Sequence, residues 1–495
     1  MRLKWQEIAE ATGGQILRGL PEKEVQGYAQ DSRLVQPGDL FFPIIGPNRD
    51  GHDFLEDVAA KGCRSFLISH PEALERLERA AAADADHQGD ELAVILVPDT
   101  EKALEDLARY ALARIGCRIV GVTGSTGKTS TRDMTACVMA GRYKTGVTKG
   151  NFNTPIGLSL TVLGFDEDTE VGVLEMGMDH FGEIEHLVSI ASPEAALITN
   201  IGISHMENLG SRDGIFRAKM EITAAMTGTQ TLLVSESEDY LNASRIGADY
   251  GTERFRLAVT GTGADCALRI DNIEEKGIEG IDFDLVQTPF TPAAGEAAVQ
   301  AEKRVRFCLP VPGRHNALNA ALAAGAGLVF GIPLEASAAQ LAVLTLTGGR
   351  LTVENAGGLR LIDDAYNASP DSVRAALDVL ASVRGGRRYA VLGDMLELGA
   401  GEREEHYRIG VYAREKQIDG VFTFGPLSLE TARGAGEEDR HFEDKAQLAD
   451  ALYQTISPGD VILFKASHSM GADTVLADIR CRMIKQDCAD NKKEQ

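Results

Sequence analysis

No two cysteines of this 495-residue chain form a CxxC pair. The seven cysteines, Cys63, Cys117, Cys137, Cys266, Cys308, Cys481 and Cys488, are scattered and odd in number. A disulfide scaffold or cysteine zinc site is not expected, and a reducing, cytoplasmic setting fits this usage. Positive charge is also scarce: 50 Lys and Arg face 74 Asp and Glu, a net charge of −24. No global basic field is available to hold nucleic acid or an anionic membrane, although a local basic pocket for a small anion stays open. The opening MRLKWQEIAEATGG lacks the apolar core of a signal peptide. The longest charge-free apolar stretch, 317–334, is mostly Ala and Gly and includes Asn319 and Pro333. It reads as a buried helix, since a membrane span needs about 20 strongly apolar residues. There is no repeat at a solenoid period. What remains is globular composition, 44% apolar and 25% charged, in a chain long enough for about three domains.

The pattern along the chain is α/β throughout. Residues 1–99 read as a small α/β domain: a short helix at 6–12 closed by Gly13 and Gly14, and strands at 40–45, 65–69 and 92–97. Residues 71–91 read as a charged, Ala-rich surface helix running into an acidic stretch. Residues 100–344 begin with an amphipathic helix at 102–115. Apolar runs at 118–123, 171–176 and 195–201 then alternate with helical stretches, which predicts a parallel sheet flanked by helices. Alternation at 281–286 and 305–311 predicts a peripheral antiparallel excursion with an exposed loop between. Helices at 315–330 and 334–344 close this domain. Residues 345–495 alternate strands at 359–363, 389–392, 420–424 and 461–464 with helices at 369–383, 402–416, 446–456 and from 472. This is a Rossmann-like sheet, and Ser369 with Pro370 is a capped helix start. The last ten residues are polar and expected to fray.

The strongest local signal is GVTGSTGKTST, residues 121–131. A strand feeds a glycine-rich turn, and Lys128 and Thr129 open a helix. Amides of such a turn converge on phosphate, Lys128 reaches outer phosphates, and Thr129 suits magnesium. The plain pattern G-x-x-x-x-G-K-[ST] would need glycine at 122, where the chain has Val122. The glycines fall at 121, 124 and 127 instead. Glu175 ends one strand and His205 follows another, so both face the edge that carries the phosphate loop. Together they suit a magnesium site. Singly, Glu175 also reads as a salt-bridge partner and His205 as an exposed loop residue. Lys219 reads equally as a surface lysine, and Asp31-Ser32-Arg33 as a simple turn.

In combination these residues resemble the Mur ligase family, ATP-dependent amide ligases of peptidoglycan precursor synthesis. The resemblance rests on the loop, Glu175, Thr199-Asn200 with His205, Ala218-Lys219, GRHNALNA at 313–320 and GGR at 348–350. Four further segments are similar to the members that add D-alanyl-D-alanine to UDP-N-acetylmuramoyl-tripeptide. They are DSRLVQPGDLFF at 31–42, GNFNTPIGLSLTVL at 150–163, IDDAYNASPDS at 362–372 and LGDMLELG at 392–399. Two positions depart from the family pattern. GNxNNxIGxPLT reads here with Thr154, Pro155 and Ser159, where the muramoyl-peptide is expected to run. KGSR reads Lys465-Ala466-Ser467-His468, and no role is carried onto His468. The DNPR-type motif of the diaminopimelate- or lysine-adding relative is absent.

The resemblance implies a mechanism and a set of residues. ATP phosphorylates the tripeptide carboxylate, and the dipeptide amine displaces phosphate from the acyl phosphate. Catalytic roles fall to Lys128, Glu175, His205 and Lys219, with Lys219 a candidate for carbamylation. Nucleotide contacts fall to Gly124, Ser125, Thr126, Gly127, Lys128, Thr129, Ser130, Asn316, Arg350 and Asp364. Ser32 and Arg33 are expected on the uridine diphosphate, and Asn151, Asn153 and Thr154 on the muramoyl-peptide. Tyr366 and Asn367 are expected to face the dipeptide. Magnesium falls to Thr129, Glu175 and His205. A monomer is expected, with domain closure bringing Arg350 to Lys128 and the acidic excess lying away from the cleft. Competing readings are another Mur ligase, a folylpolyglutamate synthase-like ligase, a phosphate-loop switch ATPase, or a homologue that only binds nucleotide.

Overall fold

A computed structural model describes residues 1–83, 91–251, 253–288, 302–346 and 348–491, with side chains to 485. Among the described residues three main sheets organise it, one in each of three α/β domains, with a two-stranded ribbon of Leu3–Lys4 and Glu24–Val25 beside the first. In the N-terminal domain the strand order is Gln15–Arg18, Ala93–Leu96, Ser65–Ile68, Asp39–Phe41, Gly27–Ala29. Only Gln15–Arg18 runs antiparallel to its neighbour. The first helix, Trp5–Thr12, ends where Gly13 turns left-handed at φ 62°, a conformation that glycine adopts without a Cβ penalty. The helix expected at 71–91 covers Ala73–Ala83. The acidic stretch at 84–90 lies outside the described residues.

The central domain has nine strands. At its heart β1 (Arg118–Thr123) lies between β2 (Val171–Glu175) and β3 (Ala195–Ile198), all parallel. Val120 and Val122 are buried on β1, Val173 and Leu174 on β2, and Ala196 and Ile198 on β3. Such continuous apolar runs are expected of strands covered on both faces. Helix α1 (Lys128–Ala140) follows β1, and α2 (Pro155–Leu163) precedes β2. The far edge carries the antiparallel excursion: Ile281–Gln287 runs against both of its neighbours, Leu268–Glu275 and Lys303–Leu309. The loop expected there falls largely on 289–301, outside the described residues.

Helix α3 (His315–Val329) covers the same sheet and packs against α1. Its Ala and Gly content has a steric reason. A Cβ on Gly327 would stand 2.8 Å from Val138 Cγ1, and one on Gly325 2.3 Å from Leu233 Cδ2. The apolar stretch is thus a close-packed interior helix. Among the described residues no helix is long and apolar enough to cross a membrane.

The C-terminal domain holds a six-stranded sheet. Thr352–Ala356 forms a hairpin with β4 (Leu359–Asp363) through Gly357 and Gly358, both with positive φ, as a two-residue hairpin turn requires. The last strand, β6 (Val461–Lys465), inserts between β4 and β5 (Arg388–Gly393), parallel to both. The chain-order reversal at this point opens a crevice at the strands' C-terminal ends. Helix α4 (Pro370–Ser382) starts on Ser369, whose hydroxyl caps the Ser372 amide. The final helix runs from Ala472 to Asn491, through most of the tail expected to fray. Gly348, Gly349 and Leu351 all have positive φ at the join between central and C-terminal domains.

Candidate active site

A cavity of about 1110 Å3 lies between the central and C-terminal domains. Its central wall is the turn from β1 into α1. Gly124 has φ 147°, and a Cβ there would meet Thr199 Oγ1 at 1.8 Å. Gly127 caps α1 in the left-handed conformation. Gly121, the first glycine of the sequence pattern, lies inside β1 rather than in the turn. The turn is braced by the residues after β3. Thr199 Oγ1 donates to Thr126 O, Asn200 Oδ1 accepts from the Thr126 amide at 3.0 Å, and the Ser125 amide donates to Asn200 O at 3.1 Å. Lys128 Nζ donates to Gly124 O at 2.8 Å.

Beside the turn Thr129 Oγ1 donates to Glu175 Oε2 at 2.7 Å, and Asn153 Nδ2 donates to Glu175 Oε1 at 3.1 Å. Arg132, one helical turn beyond Thr129, stands 3.5 Å from Glu175 Oε2 and donates to Gly150 O at 3.0 Å. It ties the 150–154 segment to the metal-type pair. Thr154 caps α2, with Pro155 at the first helical position. The departure from the family pattern at these two residues is therefore a strong helix start.

His205 is left-handed at φ 63°, a costly conformation for a non-glycine residue that clusters at functional sites. Burial, aided by the nearby charges of Lys128 and Lys219, pushes its imidazole down to about 4. It is neutral at pH 7, and its Nδ1 stands 2.9 Å from Asp179 Oδ1. Lys219 is 1% exposed. It has no hydrogen bond or ion pair among the described residues. Burial, then the Lys128 charge, lowers its ammonium well below the ordinary lysine range.

The C-terminal wall is built from the loops after β4, β6 and β5. Arg350 stacks on Tyr366, 3.9 Å from the ring centroid, and His468 lies tilted against the same ring at 5.4 Å. Asp364 is a buried ion-pair partner: Lys465 Nζ donates to its Oδ2 at 2.5 Å and to Asn367 O at 2.9 Å. Glu397, also left-handed at φ 65°, reaches across to within 3.5 Å of His205 Nδ1.

Ser125, Thr126, Gly127, Lys128, Thr129 and Ser130 therefore share one cavity with Glu175 and His205. Asn151, Asn153, Thr154, Asn316, Arg350, Asp364, Tyr366 and Asn367 line it too. Asn316 is held there by its own bond to Pro312 O and by Asn319. Lys219 lies behind the wall. Ser32 and Arg33 do not reach the cavity. They follow Gly27–Ala29 in the N-terminal domain, where Arg33 forks onto Asp31 and holds that carboxyl down at about 2.

Two expectations need correction or extension. The cleft is not spared by the acidic excess: eight carboxylate residues line the cavity against three Lys or Arg. The physical reason is that loops from distant parts of the chain converge on the cavity and bring their carboxylates together. Sequence reading also passed over Asp179, Arg132, Lys465 and Glu397. Arg132 was detectable from its i+3 spacing to Thr129. Asp179 and Glu397 had no such signal, because their partner lies on another segment.

The Mur ligase middle-domain pattern matches residues 122–327. The Mur ligase glutamate ligase domain matches 349–468, and the Mur ligase family catalytic domain matches 24–111. A UDP-N-acetylmuramoyl-tripeptide--D-alanyl-D-alanine ligase of Bacillus subtilis (strain 168) is 40% identical over 95% of this chain and 97% of its own length. The chain belongs to the Mur ligase family. The similarly named ligase of Escherichia coli (strain K12) is 35% identical over 90% of this chain and 92% of its own. Among solved Mur ligases, MurF from Acinetobacter baumannii superposes with a TM-score of 0.82 at 29% identity, covering 97% of this chain and 99% of that one. MurF ligase from Thermotoga maritima in complex with ADP gives 0.74 at 25% identity, covering 93% and 99%. This Mur ligase thus matches those relatives along nearly their whole length.

Proposed function

We propose that this Mur ligase joins D-alanyl-D-alanine to the terminal carboxylate of UDP-N-acetylmuramoyl-tripeptide, driven by ATP. The observation that carries the reading is the shared cavity: a braced phosphate loop faces a C-terminal wall built from the Tyr366, Glu397 and His468 loops. Near-full-length similarity to ligases of that name supports it. Residues 1–99 serve as the uridine-nucleotide domain, with Ser32 and Arg33 at its ligand. Residues 100–344 serve as the ATPase domain, and 345–495 as the domain that brings the acceptor.

In the first step a tripeptide carboxylate oxygen bonds to the γ-phosphorus of ATP and ADP leaves. In the second the dipeptide nitrogen bonds to the acyl carbon, the carbon–oxygen bond to phosphate breaks, and the amine gives up a proton. No side-chain nucleophile is needed, so the protein acts by position and charge. The amides of the turn and Lys128 hold the phosphates, with Gly124 and Gly127 allowing the close approach. Ser130 and Asn316 complete the nucleotide end, and Arg350 reaches it from the other domain. Asp364 acts through Lys465, fixing the loop that carries Tyr366 and Asn367. Asn151, Asn153 and Thr154 face the muramoyl-peptide.

The donor set fits magnesium. Thr129 and Glu175 offer a hydroxyl and a carboxylate 2.7 Å apart beside the phosphate loop, the hard oxygen ligands that magnesium prefers. Those two residues would hold one ion, and His205 would help hold a second through Nε2. Magnesium supplies charge neutralisation on the transferring phosphoryl group. Lys219, buried and biased to the neutral amine, suits attack on carbon dioxide. Its nitrogen bonds to carbon, one proton is released, and a carbamate anion replaces the ammonium. A Lys219→Ala enzyme that keeps full activity without bicarbonate refutes that modification.

The test is phosphate release with ATP and UDP-N-acetylmuramoyl-tripeptide, adding D-alanyl-D-alanine, D-alanyl-D-lactate or single amino acids in turn. Release is expected with D-alanyl-D-alanine. No turnover with any dipeptide refutes the assignment.

A further inference from the structure

We propose that the C-terminal wall is a zwitterion subsite: Glu397 takes the ammonium of the incoming dipeptide and His468 takes its carboxylate. This rests on the reaction proposed above and adds the orientation of its second substrate.

The two side chains are carried together. The Leu396 amide donates to Ser467 Oγ at 2.9 Å, and the Ser467 amide donates to Asp394 O at 3.0 Å. Glu397 and His468 each stand one residue beyond the Leu396–Ser467 bond. Their loops leave the C-terminal ends of the adjacent parallel strands β5 and β6. Both residues line the cavity. The subsite thus sits on strand ends rather than on free loops.

The two ends differ in what they offer a ligand. Glu397 lies in the field of Asp179 and Glu207, with Lys128 the weaker opposing charge, and its only ion-pair contact among the described residues is His205 at 3.5 Å. That end favours a cation. At the other end the Lys, Arg and His side chains that line the cavity differ in their partners. Lys128 belongs to the phosphate loop, and Lys465 is neutralised by Asp364. His186 is taken by Glu105 at 2.9 Å and His205 by Asp179. His315 is pushed down to about 4 by burial, so it is uncharged at pH 7. Arg350 and His468 both lie against the Tyr366 ring, Arg350 over its face and His468 tilted to it. Arg350 reaches toward the nucleotide and lies in the field of Lys128. The His468 imidazole has no hydrogen bond or ion pair among the described residues. It stands where KGSR carries Arg, and both side chains donate to a carboxylate.

One orientation follows. With its ammonium at Glu397 the dipeptide points its nitrogen toward His205 and the central wall, where the acyl phosphate forms. The reverse pose sets its carboxylate against Asp179, Glu207 and Glu397, and like charges repel.

The test uses the full chain in steady-state phosphate release, varying one substrate while the others saturate. Glu397→Gln and His468→Gln are each expected to raise KM for D-alanyl-D-alanine about tenfold or more, as loss of a charge-assisted hydrogen bond does. KM for ATP stays within about twofold and reports an intact fold. His468→Arg restores the dipeptide KM. With D-alanyl-D-alaninamide, which has no carboxylate, Glu397→Gln still raises KM and His468→Gln no longer does. The subsite is overturned if either Gln variant leaves the dipeptide KM unchanged. It is also overturned if Glu397→Gln shifts the magnesium midpoint instead. A wild-type chain that turns over no dipeptide defeats the underlying reaction. Wild-type turnover with unmoved variants defeats only the subsite.

Discussion

The two walls of the cavity are built on opposite principles. On the central wall nearly every functional group already has a protein partner. Lys128 rests on Gly124 O, Thr129 and Asn153 bracket Glu175, Thr199 and Asn200 clamp the turn, and Asp179 orients His205. On the C-terminal wall Glu397 is 70% exposed at its side chain and His468 is exposed. The rigid part there lies one layer deeper, in the Asp364–Lys465 pair and the Leu396–Ser467 bond. Phosphoryl transfer needs fixed charge at fixed distance, so its donors are pre-set. An acceptor amine must enter and its product must leave, so its contacts stay open while their supports are fixed.

That contrast can be broken from either side. Lys128→Ala removes the phosphate-facing cation of the pre-set wall. It is expected to lower turnover about a thousandfold, as loss of a pre-organised charge donor does, with little change in melting temperature. Phosphate-release kinetics beside a thermal melt check both halves. Lys465→Met acts on the opposite wall and in the opposite sense. It strands the Asp364 carboxylate without its cation, and breaking a buried pair in this way costs about 3–5 kcal/mol. Denaturant unfolding followed by calorimetry of the full chain should find that loss in the C-terminal domain, with ATP binding less affected.

Smaller effects sharpen the comparison. Asp179→Asn keeps the shape beside His205 but removes the carboxylate charge 2.9 Å from its Nδ1. Loss of such an orienting partner costs about ten- to a hundredfold in activity or metal affinity. It should appear as a raised magnesium midpoint with KM for the dipeptide unmoved, separating it from Glu397. Thr154→Ala removes only the cap of α2. A stability loss of about 1 kcal/mol is expected, with a modest rise in KM for the muramoyl-tripeptide, read by a urea melt and initial rates.

Much of the central wall was legible because its signals are local. The turn from Gly124 to Thr129, the strand feeding it and the helix leaving it are contiguous, and a parallel strand order sends Glu175 and His205 to the same edge. The Mur family resemblance added the segment order and the partner domain. The C-terminal wall was less legible. Tyr366 and Asn367 were read from a strand end, yet His468 was set aside and Glu397 passed over. Their meaning depends on β6 inserting between β4 and β5, a pairing across about a hundred residues. The charge of the cleft was misread for a related reason. A net of −24 says nothing about where carboxylates converge, and eight converge here.

The sequence by itself determined the α/β class, the phosphate-binding turn and the family, because these rest on short contiguous patterns and their order. Tertiary structure alone decided the burial that lowers the pKa of His205 and Lys219. It also decided the pairing of Asp364 with Lys465 and the placing of Glu397 and His468 on one wall. Each of these depends on a desolvated contact between groups far apart in the chain, and such contacts exist only after the sheets have packed.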